Sequence, residues 1–167
     1  MRITQLIFVA LMALIVTSCK MSYSFSGAST GTLETVSVNY LQNRAALAPP
    51  VLSQFVTEEL RDLCERQTNM NLVTGPGDAH FEGEITAYST RPMAIGGADQ
   101  VELTRFTIGI RIRFININDD ELSFEETFSQ FRDYESGQSF ESIQAALTEL
   151  IIEDITEDIF NRAFVNW

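Results

Sequence analysis

The sequence predicts an α+β fold, a two-layer sandwich in which two helices pack on one face of a four-stranded mixed sheet, in the order β-α-β-β-β-α. Three observations carry this. Arg105 to Asn116 alternates Phe106, Ile108, Ile110, Ile112 and Phe114 against Thr107, Gly109, Arg111 and Arg113, the period of a strand with one wet face. Residues 51–68 and 139–164 instead repeat apolar side chains every three or four positions, the period of a helix with one apolar stripe. Elements with a single apolar side bury it by stacking in two layers.

The other elements follow in chain order. Leu33 to Tyr40 (LETVSVNY) places Val36 and Val38 on one side of a first strand. Asn43 to Ala48 reads as a loop, and Pro49-Pro50 suits a helix entry, where a missing N–H costs nothing. The helix from Val51 to Thr68 carries Leu52, Phe55, Val56, Leu60 and Leu63 on its stripe. Gly75-Pro76-Gly77-Asp78 marks a turn. Phe81 to Tyr88 then sets Phe81, Gly83, Ile85 and Ala87 on one face and Glu82, Glu84, Thr86 and Tyr88 on the other. Asn116 to Glu121 is a second turn, and Leu122 to Phe131 a fourth strand facing inward through Phe124 and Phe128. Ser139 caps the last helix, whose apolar positions are Ile143, Leu147, Leu150, Ile151, Ile155 and Ile159. The first β-α-β unit is expected to cross over right-handed.

The N-terminus has a different character. Arg2 precedes an uncharged apolar run from Leu6 to Val16, too short for a membrane-spanning helix of about 20 residues. A basic start, a short apolar core and a small-residue exit mark a signal peptide. Its exit, Val16-Thr17-Ser18-Cys19, looks like a bacterial lipobox, which implies cleavage before Cys19 and a diacylglycerol carried on its sulfur. More than one acyl chain gives a stable anchor. The expected organisation is a signal peptide over 1–18, a lipidated N-terminus and tether over 19–32, and a single domain over 33–167. The chain has two cysteines, so lipidation of Cys19 leaves Cys64 without a disulfide partner. Cys64 lies in the apolar pattern of the first helix and is expected to be buried as a small hydrophobe.

The formal net charge of −12 argues against nucleic acid as a partner, because phosphate backbones repel an acidic domain. The charge is uneven. Residues 86–118 hold four arginines against two acids, whereas residues 135–167 hold seven acids against one base. Catalytic signals are weak. One histidine, His80, cannot form a histidine metal cluster, and G-x-S-x-G is absent. Gly96-Gly97 lacks the lysine and helix of a phosphate loop. The acidic pairs Asp119-Asp120 and Glu125-Glu126 fall in a turn and on a wet strand, where solvated charge explains them. The chain does not read as an enzyme, and no cofactor is expected beyond the covalent lipid on Cys19.

Binding has better candidates. Tyr88 to Gly97 continues a strand into a loop with Arg91, Met93 and Ile95, and loops on rigid sheets are common recognition sites. Arg91 and Arg105 flank this hairpin, and Arg111 and Arg113 lie further along the exposed face. Guanidinium groups bind phosphate bidentately, so these four arginines are the candidate contacts for a ligand with phosphates and acyl chains. The plain alternative is a solvated strand face.

Several segments in order resemble the lipopolysaccharide-assembly lipoprotein family (LptE-like) in its Bacteroidetes form. They are Tyr23 to Ser29, Thr35 to Val38, Leu52 to Phe55 with Glu59 to Asp62, Phe81 to Tyr88, and Asp158 to Ala163 with Asn166-Trp167. The resemblance implies two helices over a four-stranded sheet and a role in placing lipopolysaccharide in the outer membrane. It also implies a partner, a large β-barrel translocon that such a protein plugs, with lipopolysaccharide itself as a ligand. The expected location is the periplasmic side of the outer membrane, held by the lipid. It carries over no ligand-contacting residue, so the four arginines rest on charge alone. A lipoprotein scaffolding a different outer-membrane complex is the alternative, and a cell-wall hydrolase a more distant one.

Overall fold

Alternation in the longest strands sorts side chains into a buried and an open face, and the layers follow. The computed structural model describes residues 30–93 and 102–165. Its elements are β1 (Thr35–Val38), β2 (Gln42–Asn43), α1 (Val51–Gln67), β3 (Asn71–Leu72), β4 (Ala79–Met93), β5 (Leu103–Asn116), a 3-10 turn (Asp120–Leu122), β6 (Phe124–Glu135) and α2 (Phe140–Phe164). The sheet runs β3-β1-β4-β5-β6, with β2 pairing with β4 beyond the end of β1. β1 is parallel to β3 and β4, while β4, β5 and β6 form an antiparallel meander. The predicted class and element order hold. The sheet has six strands rather than four, because two residues each of β2 and β3 join its edge, and dipeptides carry no readable period.

The core is one cluster between Leu33 and Phe164, so this stretch buries its own core. Phe106, Ile108, Ile110, Ile112 and Phe114 of β5 are all 0% exposed. At one end Phe81, Phe114 and Phe164 pack with ring centroids 4.8–5.8 Å apart, and at the other Tyr88, Phe106 and Phe140 pack at 4.9–5.0 Å. Such edge-on and tilted pairs suit the aromatic quadrupole. Cys64 is buried in this core, and desolvation pushes its thiol up to about 12, which makes it inert as a nucleophile.

Two expectations about facing are corrected. β4 shifts register between Ile85, opposite Ile110, and Ala87, opposite Gly109, leaving Thr86 as a bulge. The extra residue reverses every later side chain. Tyr88 therefore turns inward, where its ring meets Phe106 and its hydroxyl accepts a hydrogen bond from Gln144. In α2, Leu150 is 45% exposed while Ile152 is fully buried. The buried stripe includes Thr148 and Thr156, and Thr156 satisfies its hydroxyl by donating back to the Ile152 carbonyl, 2.8 Å away. A hydroxyl bonded in this way can occupy a core position, so apolar residues alone misplace the stripe.

The connection before β4 is tightly drawn. Asp78 Oδ2 accepts from the backbone amides of Glu34 and Thr35, each at 3.0 Å, and the Asp78 amide donates to Thr35 Oγ1 at 2.9 Å. These bonds, from Glu34 first and then Thr35, hold the Asp78 carboxyl below its usual value. Arg61 of α1 donates twice to the Val38 carbonyl, fastening the helix to the end of β1. Among the described residues no helix is long and apolar enough to cross a membrane.

Candidate functional site

The face of the sheet turned away from the helices holds the predicted arginines. Parity along β5 points Arg105, Arg111 and Arg113 outward, and the bulge at Thr86 brings Arg91 to the same face, directly opposite Arg105. Without the bulge, Arg91 would share the side of Phe81 and Ile85. The four arginines form two pairs rather than one patch. Arg105 and Arg111 are six residues apart, roughly 20 Å along a strand. Between them Ala87, Ser89, Thr107, Gly109 and Ser129 make the face small and hydroxylic, apart from the exposed Phe131 ring opposite Thr107.

Each end has its own electrostatics. Arg111 and Arg113 reach across to β4, with Arg113 Nη1 at 3.0 Å from Glu82 and Arg111 Nη1 at 3.4 Å from Glu84. Arg44 adds a contact of 3.6 Å to Glu84. With Asn39, Tyr40, Gln42 and Glu125 these groups line an open polar cleft of about 400 Å³. At the other end Arg105 grips Asp133 with two bonds of 2.8 and 2.9 Å, and its guanidinium lies 3.6 Å over the Phe131 ring. The paired hydrogen bonds hold the Asp133 carboxyl low and the Arg105 guanidinium high.

The carboxylates Glu82, Glu84 and Asp133 were absent from the sequence-derived site. They belong to it because register sets them opposite arginines, and register is invisible along one strand. Arg111 and Arg113 each spend one N–H on a carboxylate and remain about half exposed, so further donors of the guanidinium stay open to a ligand.

A serine–histidine contact also appears. Ser37 Oγ lies 2.7 Å from His80 Nδ1, and Asn39 Nδ2 lies 3.1 Å and Glu82 Oε2 3.9 Å from His80 Nε2. Ser37 Oγ also accepts from the Gly77 amide, 3.1 Å away, and is 2% exposed. A hydroxyl so enclosed has no room for a substrate. The contact tethers β1 to β4. Among the described residues, no three His, Cys, Asp or Glu side chains are grouped as metal ligands. Cys19, residues 1–18 with the predicted signal peptide, and residues 94–101 lie outside the described residues.

The fold is two layers, helices on one side and on the other a sheet whose outer face carries paired charges. Solved structures share this fold at low identity. An uncharacterised lipoprotein B from Nitrosomonas europaea aligns with a TM-score of 0.55 at 12% identity, covering 86% of this chain and 88% of the other. A protein from Xanthomonas campestris gives 0.57 at 11%, covering 80% and 84%. A minor lipoprotein from Acinetobacter baumannii gives 0.51 at 11%, covering 78% and 91%. No curated protein is similar enough in sequence to match. The profile of LptE, described as lipopolysaccharide-assembly, matches residues 33–163. The chain belongs to this family, and its general role is lipopolysaccharide assembly.

Proposed function

We propose that the chain is a lipid-anchored protein on the periplasmic side of the outer membrane, where it acts as partner and plug of a β-barrel lipopolysaccharide translocon. The family match across residues 33–163 carries this reading, because it spans all of the described core but its last residue, Phe164. The anchor is the lipid on Cys19, and the role is binding rather than catalysis. Lipopolysaccharide meets the outer face of the sheet, with Arg91 and Arg105 at one end and Arg111 and Arg113 at the other. Guanidinium groups suit its phosphates, and the acidic helices disfavour the opposite face.

Affinity purification of the lipidated chain from detergent extract tests the partnership. A large β-barrel protein is expected to come with it. A different outer-membrane complex in place of a barrel would establish the scaffold reading instead. The ligand face is tested separately, by titrating lipopolysaccharide into the chain from Lys20 onward. Arg91→Glu with Arg105→Glu is expected to weaken binding by about tenfold or more at low salt, with the gap closing as salt screens exposed charges beyond about 8–10 Å. Equal affinity in wild type and double variant would remove these arginines from the site.

A further inference from the structure

Helix α1 follows β1 and helix α2 follows β6, two strands that point the same way through the antiparallel meander, so the helices lie side by side and parallel. Near their N-terminal halves they part around an open groove of about 650 Å³. Its floor is apolar, made by Leu52, Phe55, the Tyr88 ring and Ala145, and Val51 stands 64% exposed at its mouth. Its walls are acidic: Glu58 on one side, Glu141 and Glu149 on the other. Past Phe55 the furrow continues between Glu59 and Glu153. Glu58, Glu141, Glu149 and Glu153 form no salt bridge among the described residues.

We infer that this furrow docks a cationic amphipathic helix of a partner polypeptide. Its length and chemistry select that occupant. The lining runs from Pro49 to Glu58 and from Glu141 to Glu149, roughly 12–14 Å at 1.5 Å per residue, which matches two to three turns of a third helix. An added strand would find no free backbone edge, since helical N–H and C=O groups bond internally. An acyl chain would strip water from carboxylates on both walls and return nothing to them. A second copy would bring acidic walls against acidic walls. Apolar anchors at helical spacing with lysine or arginine on the flanks satisfy both floor and walls. The inference rests on the groove alone and is independent of the lipopolysaccharide face.

The test uses the chain from Lys20 onward and two dye-labelled helical peptides of about four turns, one of lysine and leucine at amphipathic spacing, the other with glutamate replacing lysine. Fluorescence anisotropy is expected to show saturable binding of the first and none of the second. Filling the groove with Ala145→Trp, or independently with Val51→Trp, leaves the charge unchanged and is expected to weaken binding by about tenfold or more. Glu58→Lys with Glu149→Lys is expected to do the same, with a smaller effect at high salt. Circular dichroism melts confirm that each variant folds. Wild-type affinity in both tryptophan variants would reduce the binding to bulk charge attraction and overturn the inference. Equal binding of the glutamate peptide would overturn the charge requirement, and a dimer in sedimentation that buries the groove would overturn the occupant.

Discussion

The two faces of the sandwich handle charge in opposite ways. On the sheet face, Arg105, Arg111 and Arg113 each have a carboxylate across the neighbouring strand, and the face is close to neutral. On the helical face, α1 and α2 carry ten acidic residues against three arginines. Two of those arginines are engaged elsewhere, Arg61 on the Val38 carbonyl and Arg162 on Glu126 of β6, and Arg66 pairs with Glu59 on its own helix. The difference follows from geometry. Antiparallel pairing holds opposite residues about 5 Å apart, so a charge on one strand can meet a carboxylate on the next, as Arg111 and Arg113 do, although Arg91 faces Arg105. A helix places neighbours only at three and four residues along itself, and here those neighbours are often acids as well. One face therefore balances its charges across strands, while the other keeps an excess of acid.

The largest test of this contrast sets the two sides of one strand against each other. Ile110→Asp buries an unpaired charge, a cost of several kcal/mol against a typical domain stability of about 5–15 kcal/mol. Loss of folded protein is expected, whereas Arg111→Asp on the open face should melt as a folded domain. Equal damage from both would break the assignment of faces.

Gly83 gives the next effect. A Cβ there would sit 2.3 Å from the Arg111 carbonyl oxygen, a backbone atom that cannot step aside. Gly83→Ala should cost about 1–3 kcal/mol in denaturant unfolding, as overpacking does. Because the clash lies under the Glu84–Arg111 contact, it would also disturb the polar cleft, and a neutral result would show that β4 and β5 can separate there.

A pH series sharpens the comparison further. The folded-state carboxyls of Asp78 and Asp133 are held low, so their contribution is present above the unfolded value near 3.9 and lost as pH falls through the folded value. Melting temperatures of the wild type should drop over that acid window. Asp78→Asn should start less stable at neutral pH and decline less steeply. Parallel curves would exclude the clamp on β1 as a source of acid sensitivity.

The smallest effect is expected on the helices, with opposite sign. Glu149 and Glu153 are like charges one turn apart, and such pairs cost about 0.2–0.5 kcal/mol. Glu149→Gln should therefore raise the melting temperature slightly at low salt. A decrease would mean that Glu149 has a favourable partner.

What the sequence determined by itself is everything with a local period. The inward face of β5, the stripe of α1, the order of the elements and the basic middle against an acidic end all follow from side chains a few residues apart. Arg105, Arg111 and Arg113 were legible as outward-facing charges on β5 for the same reason. Tertiary structure decided what depends on a distant partner. Pairing against β5 revealed the bulge at Thr86, which turned Tyr88 inward and brought Arg91 beside Arg105. Register made Glu82, Glu84 and Asp133 neighbours of arginines 27 to 31 residues away. Packing turned Leu150 out and Ile152 in, and the spacing of α1 from α2 opened a groove that neither helix encodes alone. Periodicity is set by bonds within a segment, whereas register and the gaps between layers are set by contacts between segments.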